Sequence, residues 1–310
     1  MTKADLLTLL KVGSLLIILV SWLPHVLEGY WFIEIFSHFK VQYTLFLTIA
    51  FLVFCTQRIF SLLLLSIIAT LIFNCSYIAP LIFKTTEAFS VKNKISIASI
   101  NLLVSNEDTA AVLKNIAETN SDILVLLEVS PKWAANLAVL NKQYPFKYIE
   151  TRHDNFGIAL YSKLPLNSRT HYFGQSSTPS IISNITIAQD SLTIIAMHPE
   201  PPLGFLQLKS RDTQFTEIAN QRGDFYENLV VVGDLNCSSF SPSFNYLTNR
   251  TDLRDTRLGF GILPTWHSGF FPMQTTLDHC LVSRDILVLD RSVGSTVGSD
   301  HLPITAVLGF

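Results

Sequence analysis

Gly298-Ser299-Asp300-His301-Leu302-Pro303-Ile304 stands near the end of the chain, and its reading decides the fold. An Asp-His pair fixed ahead of a proline, and leading into the apolar run 304–308, is not a packing pattern. Two upstream stretches echo it. Gly233-Asp234-Leu235-Asn236 follows the apolar run 229–232, and Leu277-Asp278-His279 leads into Cys280-Leu281-Val282. Each sets a carboxylate at one end of a buried strand. Strand ends are where a sheet presents polar groups to a shared cleft, so these places imply one acidic, histidine-containing, metal-dependent site.

Further apolar runs also end in polar residues. Asn101 closes Ser99-Ile100-Asn101, Glu128 closes the run 123–127, and His198 closes 194–197. Taken alone, His198 reads as a structural histidine, Asn236 as a turn former and Glu128 as a solvated residue after a strand. Their joint occurrence at strand ends favours catalysis.

In this order the positions resemble the endonuclease/exonuclease/phosphatase superfamily, the DNase-I-like metal-dependent phosphoesterases, over roughly Lys94 to Phe310. His198-Pro199-Glu200-Pro201-Pro202, Pro264-Thr265-Trp266 and the closing motif are similar to a membrane-anchored bacterial branch. Leu103 stands where some abasic-site nucleases of the superfamily carry an acidic residue, which weighs against a DNA-repair role. The resemblance implies an α/β fold, a four-layer α-β-β-α sandwich of two mixed sheets. It implies catalytic roles for His198, Asp234, Asn236, Asp278 and His301. Mg²⁺ or Mn²⁺ would be held by Asn101, Glu128 and Asp300, an oxygen-rich set that suits a hard cation. Thr265, Trp266 and His267 would line the substrate rim.

The chemistry follows from the residue types. A divalent ion neutralises the charge of a phosphate ester. His301 is expected to act as general base or as an electrostatic partner of the transition state. A carboxylate on its second nitrogen, at about 2.6–3.2 Å, would fix its tautomer, and the resemblance assigns that role to Asp278. Asp234 would position or deprotonate the attacking water, and Asn236 and His198 would donate hydrogen bonds to phosphoryl oxygens.

The chain has 310 residues, 49% hydrophobic and 15% charged, with a mean hydropathy of +0.37. The apolar excess lies in runs 6–23, 41–56 and 59–83. A spanning helix needs about 20 apolar residues. One helix across the last two runs would be about 60 Å long, roughly twice the hydrocarbon core, so Gln57-Arg58 is read as a hairpin turn. Residues 1–83 are therefore expected to be a membrane segment of about three spans, 84–93 a linker and 94–310 the catalytic domain. No small-x-small site follows the first run, so a cleaved signal peptide is not expected. Trp22, Tyr30, Trp31 and Tyr43 suit the far interface.

Four of the 22 basic residues and three of the 24 acidic ones precede Lys84, which leaves the rest slightly acidic. Nucleic-acid binders usually carry a basic stripe, and none is visible. The leading reading is a membrane-anchored phosphoesterase acting on a phosphodiester such as a lipid head group or another envelope substrate. The alternatives are an extracytoplasmic nuclease on DNA or RNA and a non-catalytic membrane-anchored binding module. Cys237 and Cys280 either pair in an oxidising compartment or stay as buried thiols. His25 and His38 fall near membrane interfaces. His153, His171 and His279 read as surface or packing residues.

Within the domain, Ile95–Leu102 and Ile123–Leu127 read as strands. Ser105 reads as a helix cap with Ala110, Leu113, Ile116 and Ala117 on one face. Ser130-Pro131 opens a helix to about Leu140. Strands are expected near Phe146–Ile149, Gly157–Tyr161, Ile181–Ala188 and Leu192–Met197, and a helix over Gln207–Gln221.

Lys3, Lys11 and Arg58 fall on one side of three spans, while the 24–40 loop carries Glu28, Glu34 and only Lys40. The positive-inside rule then puts the N-terminus in the cytoplasm and everything after Phe83 outside, in the bacterial inner membrane. A phosphatase reporter fused after Phe83 is expected to be active. A reporter that works only in the cytoplasm, if active there, would overturn this topology.

Overall fold

The structure is a computed structural model that describes residues 2–59, 61–83 and 91–310. Most of the expected linker lies outside the described residues. Its last part is tied down, since Lys92 and Asn93 donate to the Phe310 carbonyl.

The N-terminal segment comprises α1 (Lys3–Val26), α2 (Trp31–Glu34), α3 (Lys40–Thr56) and α4 (Leu62–Ile82). A 3₁₀ turn, Ile35–Phe39, joins α2 to α3. Three stretches are long and apolar enough to cross a membrane, Lys3–Val26, Trp31–Thr56 and Leu62–Ile82. The second begins ten residues before the expected start because Trp31–Phe39 docks on the catalytic domain instead of forming an open loop. Lys40, read from sequence as a loop charge, is buried among the helices. Its ammonium donates to the Ser21 carbonyl at 3.2 Å and Asn74 Oδ1 at 3.4 Å, and lies 4.1 Å from the Phe73 ring centre. Trp22 is an interhelical contact, stacked on Phe73 and donating to Thr70.

The α/β domain begins with β1 (Lys94–Asn101), α5 (Thr109–Thr119), β2 (Ile123–Leu127), α6 (Pro131–Asn136), β3 (Phe146–Glu150), β4 (Ile158–Ser162), β5 (Asn167–His171) and β6 (Ser180–Ile187). It continues with β7 (Asp190–Met197), α7 (Phe205–Asn220), β8 (Asn228–Asp234), α8 (Pro242–Thr251), β9 (Leu253–Asp255), β10 (Asp278–Ser283), β11 (Leu287–Val293) and β12 (Ile304–Gly309). One sheet runs β11-β12-β1-β2-β4-β3 and the other β5-β6-β7-β8-β10-β9. Each sheet holds one parallel pair, β1 with β2 and β7 with β8, among antiparallel neighbours. A parallel pair needs a crossover, and α5 and α7 supply the two.

The sheets face each other across Ile97, Val125, Ile194 and Val230. Their outer faces are covered by α5 and α6 on one side and by α7 and α8 on the other. This is the expected four-layer sandwich of two mixed sheets.

Local differences have local causes. The cap of α5 is Asp108, which accepts from the Ala111 amide, and not Ser105. Asn106 takes the turn instead, donating to the Leu102 and Val297 carbonyls. The buried face of α5 is Val112 and Ile116, while Ala110 and Ala117 are exposed. Larger side chains bury more area, so they set the rotation of the helix. Ser130 does cap α6, accepting from the Trp133 amide. The polar edge strand β5 has no apolar alternation to reveal it.

A buried ion pair braces the loop after β9. Arg257 donates to Asp255 Oδ2 from Nε at 3.1 Å and from Nη2 at 2.7 Å, to Oδ1 from Nε at 3.3 Å, and to the Ile262 carbonyl. The same loop meets the membrane helices, with the Gly259 and Gly261 amides donating to the Pro80 and Leu81 carbonyls. Burial would raise the Asp255 pKa, but Arg257 and His279 hold its carboxyl well below the usual range. Asp255→Asn leaves Arg257 buried without its partner and is expected to cost about 3–5 kcal/mol, a fall of roughly 6–20 °C in melting midpoint. A depressed carboxylate stabilises the fold above its unfolded pKa, so the advantage over the Asn variant should narrow below about pH 4. Melting curves of both proteins across pH check this.

Candidate active site

The two crossovers bring polar residues out on one edge. β1 ends in Asn101, β2 is followed by Glu128, β7 by His198, and β8 ends in Asp234. β10 runs antiparallel to β8 with Asp278 registered on Asp234. His301 bridges to Trp266 just ahead of β12.

These side chains meet at the Asp234 carboxylate. His301 Nε2 lies 3.5 Å and His198 Nε2 3.4 Å from Asp234 Oδ2. Asn101 Nδ2 donates to the same oxygen at 3.4 Å. Asp234 Oδ1 accepts from the Asn236 amide at 2.9 Å. His301 Nδ1 and Asp278 Oδ2 are 2.8 Å apart, inside the range expected from sequence. Burial works against a charged imidazole, yet Asp278 and Asp234 outweigh it and push the His301 pKa up to about 10. His198 is also raised, its burial overcome by Asp234 and Glu128. Burial would raise Asp234, but the two imidazoles lower its pKa to about 2.

Backbone conformation aims the groups. Glu128 has φ +59° and Leu103 φ +60°, left-handed values that cost a side-chain-bearing residue about 1–2 kcal/mol. The Leu103 amide donates to Asn101 Oδ1, and the Val104 amide donates to Glu128 Oε2 at 2.9 Å. Asn236, with φ +50°, is of a type that tolerates this region. Its Nδ2 donates to the Pro199 carbonyl, which leaves one of its N–H groups for a ligand.

A cavity of about 510 Å³ opens over this cluster. Glu128, His198, Asp234, Asn236, Asp300 and His301 line it. So do Asp154, Asn155 and Phe156, Pro201 to Leu203, and Ile35, His38 and Phe39 of the membrane segment. Pro201 and Pro202 belong to the His198-to-Pro202 motif, a turn that holds His198 and can touch the rim; the other additional residues do not follow from the sequence reading. Residues 154–156 fall between two expected strands, and His38 reads as an interface residue.

The three expected rim residues separate. Trp266 lines the cavity and donates to Asp300 Oδ2 at 3.1 Å. Thr265 is buried off the cavity wall, its hydroxyl accepting from the Leu277 and Asp278 amides, so it braces Asp278. His267 is exposed and accepts from the Gly269 amide. His279 is a packing residue, bonded to the Cys237 carbonyl and tilted against Phe244. Cys237 and Cys280 are free and buried.

Two sets of groups could hold a cation. Asp234, Asp278 and His301 bring ligand atoms within 4.8 Å of one another. Glu128 and Asp300 supply hard oxygens at the cavity wall, and Asp300 Oδ1 is buried without a hydrogen-bond partner among the described residues. Carboxylate oxygens of this kind suit a hard cation such as Mg²⁺ or Mn²⁺.

The family model described as Endonuclease/Exonuclease/phosphatase family matches residues 98–301. Among solved structures, the chain is similar to humanized D. rerio TDP2, with 15% identity and a TM-score of 0.59, over 71% of this chain and 100% of that one. It is similar to the human Nocturnin catalytic domain with bound sulfate anion, with 18% identity and a TM-score of 0.58, over 70% and 94%. The endonuclease/exonuclease/phosphatase from Beutenbergia cavernae gives 14% identity and a TM-score of 0.58, over 71% and 72%. No curated protein sequence matches.

Gly233 carries the close approach on which Asp234 depends. Its φ is +145°, and a Cβ there would lie 2.0 Å from the Met197 carbonyl oxygen on the neighbouring strand. Gly233→Ala must push β8 away from β7. It is expected to cost more than about 1–3 kcal/mol and to disturb the His198–Asp234 contact. Melting midpoint and turnover, measured together, check it. An alanine variant matching wild type in both would show that the approach is dispensable.

Proposed function

This chain belongs to the Endonuclease/Exonuclease/phosphatase family, and from that membership we propose a membrane-anchored, divalent-metal-dependent phosphodiesterase. Its substrate lies at the outer face of the bilayer, such as a lipid head group or another envelope phosphodiester. The observation that carries this is the Asp278–His301–Asp234 chain, buried at the shared edge of both sheets and opening on a single cavity.

Glu128, Asn101 and Asp300 would hold the ion, which when bound supplies Lewis-acid neutralisation of the phosphate charge. Asp278, Asp234 and His301 serve better as a proton-handling chain than as ligands. Their central contact is a 2.8 Å hydrogen bond that a shared cation would displace. His301, held protonated between two carboxylates, presents positive charge to developing negative charge at phosphorus and can give a proton to the leaving oxygen. Asp234 orients the attacking water and accepts its proton. His198 and the free N–H of Asn236 donate to phosphoryl oxygens. Asp278 fixes the imidazole by its Nδ1. Phe156, with its ring 5.5 Å from that of His198, shields the histidine from solvent.

The orientation expected from Lys3, Lys11 and Arg58 supports an extracytoplasmic site. The slightly acidic domain supports a substrate other than a polymeric nucleic acid.

The test is a screen of the full chain in detergent with Mg²⁺ or Mn²⁺ against nucleic acids, phospholipids and soluble phosphodiesters. Phosphodiester turnover that stops on chelation is expected. Absence of turnover on every class, or turnover indifferent to chelation, would sink the proposal. Cleavage of nucleic acid alone would assign the nuclease reading instead. Asp278→Asn should lower turnover by roughly 10²-fold or more with a much smaller change in KM. Glu128→Gln should shift the metal titration by roughly tenfold or more while the fold is retained. An unchanged titration would remove Glu128 from the ligand set.

A further inference from the structure

The membrane segment does more than anchor. Ile35, His38 and Phe39, in the first part of the second spanning stretch, form a wall of the catalytic cavity, which Asp154 to Phe156 also line. That wall is fixed rather than draped. Glu34 is buried and paired through both oxygens with Arg211 Nη2, each at 2.8 Å. Thr275 donates to the His38 carbonyl at 3.0 Å, and Gln42 donates to the Gln274 carbonyl at 2.8 Å. The catalytic site is therefore incomplete in a chain cut after the spans.

The wall is apolar where it meets the mouth. Ile35 is 47% exposed and Leu203, facing the same cavity, is 71% exposed. Near them in sequence, Trp31, Phe32, Phe205 and Leu206 are also exposed. The cavity thus has a polar end, with the carboxylates and imidazoles, and an apolar end. The apolar end belongs to residues that adjoin the ends of membrane-spanning helices.

We infer that this apolar end receives the hydrocarbon chain of an amphiphilic phosphoester drawn from the bilayer, with Ile35 and Phe39 as specificity-determining residues. The inference rests on the phosphodiesterase reading and adds the substrate class. The phosphate enters the polar end, and the chain leaves past Ile35, Phe39 and Leu203 into the adjoining leaflet. A soluble phosphodiester would use only half of the cavity. The continuity of one cavity from Asp234 to a wall built by the spans argues for this occupant over a protein or a polymer.

The experiment uses the full chain in nanodiscs of phosphatidylcholine and phosphatidylglycerol. An alkyl phosphate carrying a diazirine on its chain is photolysed, and the labelled peptides are mapped. Labelling at residues 35–39 and 201–203, reduced about fivefold or more in Phe39→Ser and restored in Phe39→Leu, is expected from the size of one apolar pocket contact. Labels confined to the outward faces of the spans would overturn the inference. In the second measurement, kcat/KM is compared for bis(p-nitrophenyl) phosphate, a diacylglycerol-based diester and an isoprenoid-based diester. The Phe39→Ser loss on a chain-bearing diester should exceed the loss on bis(p-nitrophenyl) phosphate by roughly tenfold or more. Which of the two chain-bearing diesters shows it identifies the lipid. Equal losses on all three would also overturn the inference. Wall labelling without turnover of any diester would uphold the chain site and remove the hydrolytic reading.

Discussion

One buried guanidinium ties the N-terminal helices to the α/β domain. Arg211, in the middle of α7, donates to both oxygens of Glu34 in the membrane segment and to the carbonyl of Asn236 in the catalytic loop. It also binds Asp212 and the Ser243 hydroxyl. Burying two opposite charges costs several kcal/mol per ion, and attraction offsets this only where geometry is good and the remaining donors are satisfied. Here they are. A domain that merely trailed from an anchor on a flexible tether would have no use for such a contact. The guanidinium fixes the N-terminal helices relative to the cavity, because it joins them and the site loop through a single rigid group.

The chemistry depends on a second economy of position. Each sheet contributes one parallel pair, and each pair delivers the C-terminal ends of its two strands to the same edge. That alone gathers Asn101, Glu128, His198 and Asp234. The antiparallel register of β10 on β8 then sets Asp278 beside Asp234, and His301 closes the cluster from the last strand. The result is a carboxylate shared by two imidazoles and an amide in a place that water barely enters. A charge there finds its counter-charge at 3.4–3.5 Å, which explains why the imidazoles hold their protons and Asp234 loses its own.

Much of this was legible because it is local. Asp234, Asp278 and His301 stand out in sequence since each interrupts an apolar run at its end, and strand geometry turns that interruption into a site. The spans were legible for the same reason. What could not be read is what depends on distance. Glu34 and Arg211 are 177 residues apart, and each looks like a surface charge. Lys40 reads as a loop cation until its partners Ser21 and Asn74 are brought to it by two other helices. Thr265 and His267 flank a true cavity residue, Trp266, but the chain there alternates sides, so neighbours in sequence part company in space. Asp108 displaced Ser105 as a helix cap because both residue types cap well, and only the path of the turn decides between them.

The apolar collar gives the arrangement its last constraint. Leu203, Phe205 and Leu206 sit at the start of α7, and Trp31 and Phe32 at the start of the second spanning stretch, all of them exposed. Facing water, a patch of that size is unfavourable and rare on a soluble domain. Against the headgroup and acyl boundary it is favourable, as for any interfacial apolar face. Leu203 among them lines the cavity, together with Ile35 and Phe39. A phosphate that enters there leaves water only when it reaches Asp234 and His198, while a chain attached to it never has to leave hydrocarbon. On the proposed reading, the polar and apolar parts of the substrate therefore make separate and compatible transfers. A phosphoester with a chain already in the membrane can meet that condition without first being extracted into water.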